Sequence, residues 1–102
     1  NRKIYDNGDI ILKQSITVVP HSEQVDLAVM AALKDVNREA QRAGVVPDPL
    51  TGKVGAIESG DLSRISQEIS KKGGKVELIA RARGDIMIAG PVLLDFTVVQ
   101  RL

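Results

Sequence analysis

The residues that could carry acid–base or metal chemistry are few in this sequence. His21 is the only histidine, and there is no cysteine. A lone histidine cannot build a multi-histidine zinc site, and acidic partners at helical metal-ligand spacing are missing around it. His21 is therefore interpreted as a helix-entry residue, and no serine lies in a nucleophile elbow. The sequence predicts no catalytic residue, no metal site and no cofactor.

Three short motifs suggest ligand binding and are each explained more simply by local structure. Gly52-Lys53 is followed by Val54, and Pro47 takes the place of the first glycine of a phosphate-binding loop, so that pattern fails at both ends. Gly73-Gly74 follows a predicted helix and is interpreted as its stop. Arg83-Gly84-Asp85 spells the integrin-binding tripeptide, but apolar strand sequence flanks it and favours a kinked strand.

One local excess of basic charge could bind nucleic acid. Between residues 71 and 83 there are five basic side chains and one acidic side chain, Glu77. The basic residues are Lys71, Lys72, Lys75, Arg81 and Arg83. Such a group can contact phosphates, and a predicted helix bearing Lys34, Arg38 and Arg42 would extend it. The alternative is a solvated outer surface with compensating charges.

Composition limits the classes of function. The 102 residues predict one domain, residues 1–102. With 14 basic and 13 acidic residues the net charge is +1, so a nucleic-acid role requires a local patch rather than a whole-molecule field. One Phe, one Tyr and no Trp predict an aliphatic core and disfavour functions that depend on stacking against bases.

The cellular compartment follows from weaker features. The absence of cysteine fits a reducing compartment and predicts a cytoplasmic location, although a cysteine-free secreted domain also fits. There is no apolar run of about 18 residues, so no membrane span is predicted. No signal peptide is recognised, and a start at Asn1 rather than Met is compatible with a fragment of a larger protein.

The elements that must position these residues are centred on the segment from Lys75 to Leu102. Apolar and polar residues alternate there with a period of two, which is typical of strands. We predict an antiparallel pair whose apolar face needs a helical cover. An earlier strand is predicted from Ile10 to Val19, with Ile10, Leu12 and Ile16 on one face.

Helix signals are clearest in the first half of the chain. Ser22 is a predicted N-cap, the helix is predicted to reach Ala43, and Gly44 supplies the C-terminal stop. A second, shorter helix is predicted to begin near Ser59 or Asp61 and to end near Lys72. Leu62, Ile65 and Ile69 give it a narrow apolar stripe.

Two details of the strand pattern remain open from the sequence. The C-terminal hairpin either turns early at Gly84-Asp85, which gives a third strand from Ile86 to Ala89, or runs as one strand from Val76 to Ala89 and turns at Gly90-Pro91. The second alternative is favoured because Gly-Pro is the stronger breaker, and Gly84 would then be a bulge. Lys53 to Ile57 is a candidate short edge strand.

The resulting prediction is an α+β fold, with a mostly antiparallel sheet of three to four strands and one long and one short helix on one face. Ile79, Leu93 and Val99, together with Ile11 and Val19, fall on the outward strand face. They predict an interaction surface.

The function favoured by this pattern is a non-enzymatic protein-interaction or assembly module that self-associates through its sheet. The partner is expected to be a second copy or another protein. The alternative is a nucleic-acid-binding domain that uses the basic residues, and the third possibility is a small enzyme without a recognisable motif.

Overall fold

The structure is a computed structural model that describes residues 2–54 and 59–102. Its elements in chain order are β1 (Lys3–Tyr5), β2 (Ile10–Thr17), α1 (Glu23–Ala43), α2 (Ser59–Lys71), β3 (Lys75–Ala82), β4 (Ile86–Met87) and β5 (Leu94–Gln100). β1 and β4 form an antiparallel pair, and the other strands form an antiparallel sheet in the order β2-β3-β5. The fold is α+β, as the sequence predicts.

β3 lies at the centre of the three-stranded sheet because its inward positions are all small or aliphatic. Val76, Leu78, Ala80 and Ala82 are buried there. Leu78 lies opposite Gln14 of β2 and opposite Val98 of β5. Successive side chains of a strand point to opposite faces, so these residues share the face that the helices cover.

α1 begins and ends where its local sequence dictates. The Ser22 hydroxyl accepts a hydrogen bond from the Gln24 N–H, which satisfies one of the free donors at a helix start. Gly44 ends the helix with a φ of 120°, a conformation that side chains with a Cβ rarely adopt. The predicted N-cap and C-terminal stop are both confirmed.

The two helices pack side by side over the sheet. The His21 N–H donates to the Ser70 hydroxyl at 3.1 Å, which places the start of α1 beside the end of α2. Gly73 and Gly74 then end α2 with φ values of 84° and 78°, and the Gly74 N–H bonds the Ile69 carbonyl. The interpretation of the glycine pair as a helix stop is therefore confirmed.

The core divides into two clusters. The first joins both helices to the sheet and consists of Ile16, Val25, Val29, Ala32, Ile65, Ile69, Val76, Leu78 and Val98. The second lies toward the β1–β4 end and consists of Ile11, Val36, Ala40, Val45, Val54, Ala80, Ala82, Ile86 and Val92. Phe96 is half-buried against both clusters. The core is aliphatic, as the composition predicts.

The favoured prediction of one strand from Val76 to Ala89 is wrong. β3 ends at Ala82, and Gly84 has a φ of 76° and donates its N–H to the Asn7 side-chain oxygen at 2.7 Å. The chain turns there, as the early-turn alternative has it, and β4 then pairs with β1 rather than joining the larger sheet. The β1–β4 pairing joins distant parts of the chain, and the local pattern carries no sign of it.

The predicted faces of β2 also need correction. A register shift between Ile10 and Leu12 marks a bulge, which inserts one residue and reverses the alternation. Ile11 is consequently buried and Ile10 is exposed, the opposite of the prediction. β2 ends at Thr17, so the exposed Val19 lies beyond it.

The candidate strand from Lys53 to Ile57 falls within the described residues only at Lys53 and Val54. Lys53 and Val54 are not in a strand. Residues 55–57 lie outside the described residues.

Candidate interaction surface

β5 forms one edge of the three-stranded sheet. Its hydrogen-bonded neighbour within residues 2–54 and 59–102 is β3. The Arg101 N–H bonds the Lys75 carbonyl at 3.0 Å, and the Arg83 N–H bonds the Leu93 carbonyl at 2.9 Å. The backbone N–H and C=O groups of successive residues point to opposite sides of an antiparallel strand. Those of the odd-numbered residues of β5 therefore point toward β3. The backbone groups of the even-numbered residues face the open edge: Leu94, Phe96, Val98 and Gln100.

The sequence of β5 does little to protect that edge. β5 has seven residues, no proline and one charged residue, Asp95. The opposite edge, β2, carries a bulge at Ile11 and an exposed Lys13, which are devices that discourage pairing with another chain. The two edges therefore differ, and β5 is the one suited to accept a further strand.

Within residues 2–54 and 59–102, the contacts that occupy the β5 edge lie at its first part. The Arg83 guanidinium donates to the Leu94 carbonyl at 2.8 Å and to the Asp95 carboxylate at 2.9 Å. Leu94 has one of the outward-facing carbonyls, so Arg83 caps the start of the strand. The remaining outward-facing groups belong to Phe96, Val98 and Gln100.

The outer face of the sheet is less apolar than the alternation predicts. Ile79 is only 9% exposed, although it lies on the face away from the helices. Its cross-strand neighbours are Lys13 and Thr97, and the stem of a lysine covers apolar surface while its charge stays in water. The Lys13 ammonium is also 3.5 Å from the Glu77 carboxylate, and this ion pair holds the lysine side chain across the outer face.

The other two residues of the predicted interaction surface are accessible. Val99 is 44% exposed and Leu93 is 49% exposed. Both lie on the outer face of the sheet, Leu93 just before β5 and Val99 within it, but the six-residue step from one to the other corresponds to about 20 Å along a strand. The structure therefore places Ile79, Leu93 and Val99 on one face without bringing them into one patch.

The five candidate nucleic-acid contacts fall at two ends of β3. Lys71, Lys72 and Lys75 lie where α2 leads into the strand, and Arg81 and Arg83 lie at its far end, about 20 Å away at strand spacing. The Arg81 side chain donates to the Gly8 carbonyl at 3.3 Å. Arg83 is tied to β5, as described above.

The arginines of α1 are also paired. Arg38 lies 3.3 Å from Asp35, and Arg42 forms an ion pair with Glu39. The hydrogen bond from Arg42 lowers the pKa of the Glu39 carboxyl. Paired charges of this kind fit the alternative to nucleic-acid binding, which is a solvated outer surface whose basic residues are compensated by acidic ones.

Asp85, the last residue of the Arg-Gly-Asp tripeptide, has an internal role. Its carboxylate accepts the Asn7 N–H at 2.9 Å and lies 3.4 Å from the Lys3 ammonium. The bond from Asn7, followed by the contact with Lys3, lowers the pKa of Asp85. Together with Gly84, it fastens the turn after β3 to the turn before β2.

Two clefts border the helices. An apolar groove of about 360 Å³ lies beside α1, and its lining includes Met30, Leu33, Leu62 and Leu94. A shallower and more polar cleft contains His21. In the part of the chain that the structure describes, no group of three or more His, Asp or Glu residues is placed to hold a metal ion.

The sequence reasoning missed the apolar groove. Its signal is Met30, an exposed apolar residue beside the buried stripe of α1, which lines the groove.

Comparison with known protein families gives a match over most of the chain. A family model described as the DUF3084-associated C-terminal helical hairpin matches residues 5–102. No curated protein and no solved structure matches the chain. The matched residues include α1 and α2, which pack side by side, and also the three-stranded sheet that they cover. Among the described residues, no helix is long and apolar enough to cross a membrane.

Proposed function

This chain belongs to the DUF3084-associated C-terminal helical hairpin family, and we propose that it is a non-enzymatic assembly module that pairs with a second copy of itself through the open edge of β5. The observation that carries the proposal is the row of outward-facing backbone groups at Phe96, Val98 and Gln100. An unprotected edge of this kind is a template for another strand.

A second copy is a suitable partner because β5 can pair with itself. Antiparallel pairing about a two-fold axis brings the same strand of each copy together, which gives a closed dimer rather than an open chain. The family description associates the hairpin with a DUF3084 domain. Pairing of two hairpins would bring two such domains together, which is what an assembly module does.

The expected affinity is modest. Six backbone hydrogen bonds between the two β5 strands contribute about 1 kcal/mol each after exchange with water. Loss of translational and rotational freedom costs roughly 4–15 kcal/mol, so side-chain contacts, such as those of Val99, must supply the rest of the favourable binding free energy. We expect a dissociation constant on the order of 10⁻⁵ M, and association must therefore be measured near about 100 μM.

The experiment compares Gln100→Pro with Gln100→Ala. Proline removes the Gln100 N–H, which faces the open edge and is not needed for the ladder with β3. Both substitutions also remove the hydrogen bond from the Gln100 side-chain amide to the Lys72 carbonyl, so alanine is a matched control.

At about 100 μM the mass in solution should approach twice 11.0 kDa for the wild type and for Gln100→Ala. It should fall toward 11.0 kDa for Gln100→Pro at the same concentration. A monomeric wild type at about 100 μM would remove the proposal. A dimer unaffected by the proline would move the interface away from β5.

The nucleic-acid alternative has weaker support. Lys75 and Arg81 lie at opposite ends of β3, and Arg83 is bonded to Asp95. Phosphate binding depends on several cations acting together, and this arrangement divides them.

A further inference from the structure

We propose that the two copies pair in one register, with the two-fold axis passing through Val98. This inference rests on the proposed self-association and names the residues that meet across the interface. It follows from which backbone groups of the edge are already in use and from the charges on either side of Val98.

Three symmetric registers keep most of β5 paired and use its even-numbered residues for hydrogen bonds. In these registers the two-fold axis passes through Phe96, Thr97 or Val98, and that residue is called the pivot. In the first, Leu94 bonds Val98 of the partner subunit. In the second, Leu94 bonds Gln100 of the partner subunit. Only the third makes its full set of six bonds from Phe96, Val98 and Gln100 alone.

The cap on Leu94 disfavours the first two registers. Its carbonyl accepts from Arg83 at 2.8 Å, and the guanidinium lies where the neighbouring strand would come. By symmetry the conflict occurs twice in each dimer, affecting two of the six bonds at the Phe96 pivot. That pivot also leads the partner strand toward Val92, whose N–H already bonds the Val54 carbonyl at 3.0 Å.

The charges favour the Val98 pivot. Asp95, which already accepts from Arg83 at 2.9 Å, then lies opposite Arg101 of the partner subunit, in a pair whose side chains approach closely, so that its carboxylate lies between two cations, and symmetry repeats this arrangement. At the Thr97 pivot Asp95 would instead face the partner's Val99. Arg101 is partly exposed and its backbone is held by Lys75, so its side chain is correctly placed on the outer face.

The apolar residues on the outer face agree with this register. Thr97 lies opposite Val99 of the partner subunit, and β-branched pairs stabilise adjacent strands. Val99 therefore lies in the interface, whereas Leu93 lies outside it. The result is a continuous sheet of six strands with all four helices on one face, because the two-fold axis is perpendicular to the sheet.

Disulfide trapping tests the register directly, because the chain has no cysteine of its own. Residues opposite each other in a non-hydrogen-bonded antiparallel pair have Cα atoms about 4.5 Å apart, within the range that a disulfide spans. An oxidised mixture of Thr97→Cys and Val99→Cys should form a cross-linked heterodimer that a reductant dissolves. Thr17→Cys on the β2 edge is the control and should not cross-link.

The other outcomes separate the register from the association itself. Cross-linking of Thr97→Cys with itself would place the pivot at Thr97. Cross-linking of Leu93→Cys with Val99→Cys would place it at Phe96. If the wild type is dimeric but none of these three cross-links forms, pairing through β5 is wrong. A monomeric wild type would instead overturn the proposed function.

A charge exchange provides a second and independent measurement. Asp95→Arg alone and Arg101→Asp alone should each weaken self-association, by about tenfold if the two ion pairs together supply about 1.4 kcal/mol. A mixture of the two variants restores opposite charges at both pairs and should dimerise more tightly than either variant alone, although the Asp95→Arg subunit also loses its bond to Arg83. Mixed variants that associate no better than either alone would contradict the register.

Discussion

Arg83 donates to the Asp95 carboxylate at 2.9 Å, and this bond joins the end of β3 to the start of β5. A second guanidinium nitrogen caps the Leu94 carbonyl. The residue that looked like a nucleic-acid contact therefore closes the first part of the sheet edge. Among the residues that the structure describes, no second strand pairs with the rest of the edge, from Phe96 onward.

The first prediction concerns the core between the helices and the sheet. Ile69 is fully buried in the first core cluster, so Ile69→Ala should lower the free energy of unfolding by about 2–5 kcal/mol through lost transfer energy and a cavity. Leu27 is 60% exposed on α1, and Leu27→Ala should change it by no more than about 0.5 kcal/mol. Denaturant unfolding measures both, and equal losses would contradict the placement of α2.

The second prediction concerns the two glycines after α2. A Cβ at Gly74 would lie 2.1 Å from the Val18 carbonyl oxygen, whereas one at Gly73 would meet no atom within 4 Å. Both have positive φ, so Gly73→Ala should cost about 1–2 kcal/mol of conformational strain. Gly74→Ala adds a backbone clash and should cost clearly more. Thermal melting of the two variants tests this, and equal melting temperatures would be inconsistent with the packing of Val18, just after β2, against this turn.

The third prediction concerns pH and Asp85. The hydrogen bond from Asn7 and the contact with Lys3 lower its pKa below the ordinary value of 3.8. A carboxyl whose pKa is lower in the folded state stabilises the fold above its unfolded pKa, and this contribution is lost as pH falls through the folded pKa. Asp85→Asn should therefore lower the melting temperature at neutral pH.

The difference between the wild type and Asp85→Asn should shrink once pH falls below 3.8 and vanish below the folded pKa. Melting curves across acidic pH measure it. A difference that stays constant into strong acid would show that the charge of Asp85 does not stabilise the fold.

Local signals were sufficient to predict the helices. Ser22 and Gly44 bound α1 because capping depends on residues within one turn of the helix end. The glycine pair after α2 acts for the same reason. The α+β class followed from the helical spacing of apolar residues in the predicted helices and the period of two in the predicted strands, and both patterns depend only on neighbours in the sequence.

Long-range pairings were not predictable from the pattern. Gly84 ends β3 because Asn7, far away in the sequence, accepts its N–H. The bulge beside Ile11 reverses the faces of β2, and no residue in the sequence announces it. The burial of Ile79 depends on cross-strand neighbours such as Lys13, which the register alone assigns.

Amide hydrogen exchange along β5 tests the central claim most directly. The N–H groups of Thr97 and Val99 face β3 and should be protected at every protein concentration, which makes them an internal control. The N–H groups of Phe96, Val98 and Gln100 face the open edge. They should be protected near about 100 μM and lose protection on dilution below the dissociation constant. Rapid exchange at these three amides at all concentrations would contradict pairing through β5.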